Sequence, residues 1–488
     1  LRRYWVPVVA LALVAATLGA CMSVQGLKDE YCNRWDGGAP MCWDGGGGGG
    51  SQDAGVVIWV STFGSKSYRA TANGVARASG EGDIVVGTFS GRPLDQNGAS
   101  LGLVGDGGSD AFVVRYADNG DWQSGSGSSP LVFGGPGEET GVAVATDDNG
   151  SIFLSGAMDS GIEARPGITA GVRANSGGDS YFLQVSGPAH NFASAPDDSF
   201  VTRGVVATSA GSAVVGYFTH AAQRKNLLLK TFSVAGNVNG MNSMECDAGE
   251  AWASGVAGVP DASIVIVGGV DGGCQLGGLQ ASGIETAFIA QSTIQSPGLI
   301  TALPVGDGHV VLTSVAVDAI NNRFVVAGSA PTLWNVGGGG VGPASIVVAS
   351  LTADFGKADA GVTVNWAVGF GTSAQTAAAA VAVDSHGAVY VAGRIGNNDS
   401  LNFGSGVVLN NGSNLPTAFL VKLTKGGVAF WCTTIPATSG SEAHALVLHD
   451  TTPVEVTVVG EFSGQLRVGA PIDAKGTADA FIIRFRPP

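Results

Sequence analysis

Charge is scarce in this chain, and positive charge is scarcer still. Only 13% of the 488 residues are charged, and 24 Lys and Arg stand against 39 Asp and Glu, a formal charge of −15. No basic cluster occurs. Phosphate neutralisation needs clustered cations, so nucleic acid is excluded as a partner, and acidity of this kind serves solubility. There are six cysteines and no C-x-x-C pair, so a zinc signature is lacking. The six histidines, His190, His220, His309, His386, His444 and His449, are scattered, with no two at metal-ligand spacing beside an acid. His444 and His449, five apart in a strand region, fall on opposite faces. The apolar run Val6 to Leu18 is short of the ~20 residues that a membrane helix needs.

Glycine is abundant, at 78 residues, without a strict triplet period. That excludes collagen and suits many short strands joined by tight turns. From Val57 onward three signatures recur. The first is an apolar hairpin ending in Gly, clearest at Val381–Gly393 and Val315–Gly328, with weaker copies ending at Gly87, Gly156, Gly216, Gly268 and Gly460. The second is a strand with an apolar anchor, clearest at Asp110–Tyr116, Thr417–Leu423 and Asp479–Phe485, with weaker copies around Tyr181, Leu227, Phe288 and Ile346. The third is a strand often bearing Trp, around Trp59, Phe133, Trp366 and Trp431, and more vaguely near Phe192, Val238 and Ile300. Hairpin, anchor strand and Trp strand make a four-stranded antiparallel unit. The expected fold is therefore all-β, a seven-bladed β-propeller over residues 55–488.

Runs such as Ile264–Val267 are apolar on both faces, as a strand sandwiched between neighbouring blades should be. The recurrent hairpin Gly marks a place where another backbone approaches closely. Ala377 to Ala380 has high helix propensity and is read as the lead into an inner strand. The last unit lacks a Trp strand and the first recognisable strand, near Trp59, lacks a hairpin before it, so the N-terminal strand is expected to complete the last blade. The hairpin-Gly plus Asp-Ala-Phe pattern resembles the SBBP family, β-propeller repeats of bacterial surface and secreted proteins. The resemblance spans about residues 57–486 and implies the fold rather than one activity.

Residues 1–20 read as an export signal, with Arg2 and Arg3 before the apolar core. Leu18-Gly19-Ala20-Cys21 resembles the lipobox of bacterial lipoproteins, which implies lipidation of Cys21 and a membrane anchor. Residues 21–54, with Gly-rich runs up to Gly50, read as a flexible tether. The expected location is the cell envelope, and Met22 after the lipidated Cys suggests the outer membrane. An oxidising compartment makes disulfides plausible, with Cys32–Cys42 and Cys246–Cys274 as the candidates and Cys432 left as a buried thiol in a strand.

Extra length falls between the hairpin Gly and the anchor strand, as at Thr88–Ser109, Ala157–Gly178 and Arg394–Pro416. In this topology such loops share one face. Asp106, Asp110 and Asp399 in these loops are calcium-ligand candidates by residue type, although no complete calcium loop is present and turn chemistry uses the same residues. Asp318 and Asp384 recur at hairpin turns and read as turn stabilisers. Gly98–Gly102 matches the nucleophile-elbow string and Gly337–Gly342 matches G-x-G-x-x-G, each without the required helix. The Trp signature reads as blade packing, with Trp334 in a long loop expected to be exposed.

No catalytic residue and no cofactor other than calcium is assigned. The expected function is a monomeric envelope lipoprotein acting as a non-catalytic binding or scaffold module, using its long-loop face for a protein or glycan. The alternative is an extracellular hydrolase or lyase at the mouth of the central channel. That alternative requires polar or titratable groups converging there from different blades.

Overall fold

The computed structural model describes residues 55–77, 82–105, 108–123, 130–158, 163–165, 179–185, 189–191, 199–219, 224–244, 246, 248–276, 279–280, 285–296, 301–306, 309–336, 339–355, 361–404 and 406–488. Among these there is no helix. Seven antiparallel sheets of four strands, two of them extended by a short fifth strand, form the blades of a propeller. Their inner strands are Ala70–Arg77, Glu139–Thr146, Ser199–Thr208, Ala251–Gly258, Val311–Asp318, Ala377–Val383 and Ser441–His449. Each packs beside the next, and Ser441–His449 packs beside Ala70–Arg77. The ring is closed.

Closure is made by the strand Val56–Gly64, which pairs antiparallel with Asp479–Arg486 as the outer strand of blade 7, Thr62 opposite Phe481 and Trp59 opposite Arg484. This leaves the last blade's third strand without an open edge. Both faces of a blade are covered by neighbours, which explains the near-continuous apolar runs. In blade 4, Ser263–Val270 is buried at every position. One side joins a cluster with Val215 and Leu229 of blade 3, the other a cluster with Val315 and Val326 of blade 5.

The seven hairpin glycines each face a carbonyl. At Gly87, Gly156, Gly216, Gly268, Gly328, Gly393 and Gly460 an added Cβ would come within 1.8–2.1 Å of an inner-strand carbonyl oxygen. The cause is a β-bulge in every inner strand, with a register break after the residue that pairs with this Gly. One extra residue tilts the local backbone, and its second preceding carbonyl comes to lie over the Gly. Any side chain there would occupy the carbonyl's place.

Indoles latch blade to blade. Trp59 of blade 7 donates Nε1–H to Asp118 O at 2.9 Å, and Trp366 of blade 5 to Lys425 O at 2.8 Å. Each ring lies against a turn glycine of the next blade, Gly120 and Gly427. The ring-closing junction adds a buried polar cluster. Asp83 of blade 1 meets Arg484 Nη2 at 2.9 Å, His449 Nε2 at 2.9 Å and the Thr457 hydroxyl at 2.7 Å. Arg484 also reaches Asp118 at 2.8 Å, with its guanidinium 5.2 Å from the Trp59 ring centre.

Two sequence expectations are corrected. Ala377–Val383 is itself the inner strand of blade 6 rather than a lead into one, because burial between blades overrides alanine's helix preference. Trp334 is fully buried and donates Nε1–H to Val305 O at 2.9 Å. The loop carrying it folds back as a two-stranded arm, Trp334–Val336 with Gly339–Val341, which closes over blade 5.

Candidate functional site

The bulges that the glycines accommodate also aim side chains at the central channel. The unpaired residues are Asn73, Val142, Arg203, Ser254, Thr313, Ala379 and His444, one per blade. All but Ala379 line a single cavity of about 560 Å³, together with Tyr217, Lys225 and Trp252. A bulge re-aims the extra side chain, so seven copies of one backbone irregularity give a ring of seven chemically different groups. The bulges sit nearer the start of each inner strand. Tyr217 and Lys225 flank the connection between the second and third strands of blade 3. The cavity therefore opens on the long-loop face. Those loops are partly built as β-arms, such as Ser400–Asn402 with Val408–Asn410 in blade 6 and Gln465–Leu466 with Ile472–Asp473 in blade 7.

The lining is polar on two opposed sides. On the blade 7 side, His444 Nδ1 donates to Ala72 O of blade 1 at 3.2 Å. A carbonyl only accepts, so the proton sits on Nδ1 and Nε2 is left free for other bonds. Beside it stand Glu442 and Glu461, with one ligand atom of each of the three residues within 4.8 Å of the others. The two glutamates face each other directly across the strand pair, a destabilising placement. Each is offset by a neighbouring blade: Arg394 of blade 6 holds Glu442 at 2.8 Å, and Arg69, before blade 1, holds Glu461 at 2.5 Å. The Glu461 hydrogen bond pushes Arg69 up despite partial burial. Asn73 and Thr313 likewise bond across blades, to Gly141 O at 2.8 Å and Ala378 O at 3.3 Å.

On the side of blades 3 and 4 the lining is cationic and aromatic. The Arg203 guanidinium lies 5.8 Å from the Tyr217 ring centre, and Lys225 Nζ lies 5.7 Å from that ring and 5.1 Å from Trp252. Lys225 also pairs loosely with Glu250 at 3.4 Å. In a ring of seven, blade 7 faces the junction of blades 3 and 4, so the cationic, aromatic side lies opposite His444.

The residues singled out from sequence fall elsewhere. Cys246 and Cys274 form a disulfide, Cα–Cα 5.0 Å, beside blade 4. Cys432 is a buried free thiol in an outer strand, and burial pushes it up to about 12. Cys21, Cys32, Cys42 and Asp106 lie outside the described residues. Asp110 is buried, its carboxylate against Gly134. Asp399 accepts from the Thr376 hydroxyl and from Ser400 N. Asp110 and Asp399 belong to blades 1 and 6, with blade 7 between them. Asp384 accepts from the amides of His386 and Ala388, each at 2.9 Å, as a turn residue does. Ser100, in the nucleophile-elbow string, is exposed in a loop among the described residues. His444 and His449 do part company, one to the channel and one to the buried Asp83 cluster. His444 has two acids beside it, Glu442 from its own strand and Glu461 from the paired strand, a grouping with one histidine that the sequence reading, which weighed pairs of histidines, did not address.

No protein-family model matches this chain, and no curated protein matches it. Among solved structures it is similar to the WD40 β-propeller domain of Doa1, with 10% identity over 88% of this chain and 97% of that one, TM-score 0.45. It is also similar to a protein of unknown function from Dyadobacter fermentans, with 12% identity over 88% and 98%, TM-score 0.38. The Dos1 propeller gives 9% identity over 86% and 95%, TM-score 0.40. The propeller assignment itself rests on the strand pairing.

Proposed function

We propose that this protein is an envelope lipoprotein, anchored through Cys21, that acts as a non-catalytic binding module and takes a small ligand, such as a short glycan, at the channel mouth on its long-loop face. The observation that supports this most is the convergence of six bulge residues from six blades on one cavity of about 560 Å³, within the roughly 300–1,000 Å³ usual for small-molecule sites. Several of the polar groups in and beside the cavity already serve the ring. Asn73, Thr313 and His444 bond to neighbouring blades, and Glu442 and Glu461 hold arginines. Such a preformed rigid mouth suits recognition.

The test is a plugged channel. Ser254→Trp places a bulky ring in the cavity without touching a blade core. Retention of oligosaccharides by the wild type and its loss in this variant, with unchanged thermal unfolding, is the expected result. Equal retention by both would move binding away from the mouth. A second reading, a hydrolase or lyase at the same mouth, is favoured by His444 standing with Glu442 and Glu461. Product formation that disappears in His444→Ala while binding persists would select that reading.

A further inference from the structure

Asn73, Thr313, His444 and Lys225 of the mouth each have a polar partner within the protein; Arg203 is the charged lining group that has none among the described residues. It is an exposed bulge residue, and among the described residues no carboxylate lies within ion-pairing distance of it. Its contact is the Tyr217 ring, 5.8 Å from guanidinium carbon to ring centre. Lys225 is held in the same way between Tyr217 and Trp252, and its own carboxylate, Glu250, stands off at 3.4 Å. Trp252 in turn is fixed against Gly269, where an added Cβ would come within 2.4 Å of the indole. The rings thus hold the two cations against the wall of the cavity.

In a chain of net charge −15 this placement is informative. Cations spread for solubility would sit on the rim and pair with the abundant acids. Here an exposed guanidinium is left unpaired on the wall of a concave mouth, a shape that focuses the field of its charges and draws in a counter-ion. A planar guanidinium presents a fork of donors that matches a carboxylate or phosphate. Beside the facing wall Glu442 and Glu461 are already paired with Arg394 and Arg69, so Arg203 and Lys225 are the charges that the cavity lining offers a ligand.

We infer that the ligand of the channel mouth carries an anionic oxygen group, carboxylate or phosphate, which seats between Arg203 and Lys225. This rests on the mouth being the binding site, and the experiment separates the two statements. Calorimetric titration of the whole protein uses trigalacturonate against its neutral methyl ester, and glucose 6-phosphate against glucose. The expected result is that one acid binds at least tenfold tighter than its neutral counterpart. That preference is lost in Arg203→Gln and reduced in Lys225→Gln, and binding weakens as salt rises. The trigalacturonate arm and the phosphate arm tell which oxyanion is meant.

Absence of binding by either acid, or binding unchanged in Arg203→Gln, overturns the inference. If the neutral compounds bind and Ser254→Trp blocks them while Arg203→Gln does not, the mouth remains the site and the anionic ligand is refuted. If acids bind and Arg203→Gln abolishes this while Ser254→Trp does not, the cation pair is the anion site and the cavity reading is refuted.

Discussion

The bulge glycines lend themselves to a sharp perturbation, Gly460→Ala. Its Cβ would lie 2.0 Å from Glu442 O and 2.7 Å from the Phe481 ring. Cβ atoms essentially never approach other atoms closer than 3.0 Å, so the inner strand of blade 7 has to retreat by about 1 Å. The obstacle is backbone, and no rotamer relieves it. Forcing one extra methyl into a packed site costs about 1–3 kcal/mol. The same retreat displaces the bulge at His444, and with it the blade 7 side of the channel mouth.

Gly412→Ala is the matched control. It lies in an exposed loop, with nothing within 4 Å of its Cβ and no positive φ. It should shift stability by less than ~0.5 kcal/mol. Urea unfolding followed by tryptophan fluorescence reads both variants. Gly460→Ala is expected to lower the midpoint clearly and Gly412→Ala to leave it in place. Equal midpoints for Gly460→Ala and the wild type would refute the idea that these glycines exist to admit a carbonyl.

Other outcomes follow from the junction and the cysteines. Arg484→Met strands the buried Asp83 carboxylate and should destabilise by about 3–5 kcal/mol, part of which Asp83→Asn restores in the double variant on thermal unfolding. Burial alone would raise Asp83, but the His449 hydrogen bond and charge, with Arg484, hold it below the usual carboxylate range. Its contribution is therefore present above its unfolded value of 3.8 and lost as pH falls through the still lower folded value. Acid unfolding curves should be shallower for Asp83→Asn. Reducing Cys246–Cys274, separated by 28 residues, should cost about 3–4 kcal/mol on the loop-entropy model, seen as a drop in melting temperature with reductant. Cys432 should resist alkylation in the native protein at pH 8 and react once urea unfolds it, since burial holds its thiol protonated.

The architecture was legible because its signals are local and repeated. A hairpin glycine, an apolar anchor strand and a Trp strand recur, and the mismatch between the first and last units pointed to the strand at Trp59 as the closing piece. The close approach at each hairpin Gly was readable as well, but its consequence was not. A bulge is one unpaired residue, and nothing in the pattern Ala-His-Ala at 443–445 marks the middle one as turned toward an axis. The residues lining the channel mouth were missed for that reason, although the mouth itself was named as the place for an alternative site. Arg203, Ser254 and His444 have no motif between them, only equivalent positions in divergent blades.

The Asp83–Arg484 junction joins residues 401 apart in sequence, a separation that no window of local pattern covers. Trp334 failed for a related cause. A long loop was expected to expose it, whereas the loop pairs with itself and supplies its own cover.

Native-state hydrogen exchange on the strand Val56–Gly64 tests the closed ring most directly, because the mouth exists only while the ring is shut. Those amides among Val60 to Phe63 that donate to the strand Asp479–Arg486 should exchange as slowly as those of Phe481 to Ile483, opening only with global unfolding. Exchange within seconds at those paired amides, while blades 4 to 6 stay protected, would contradict a propeller closed by its first strand.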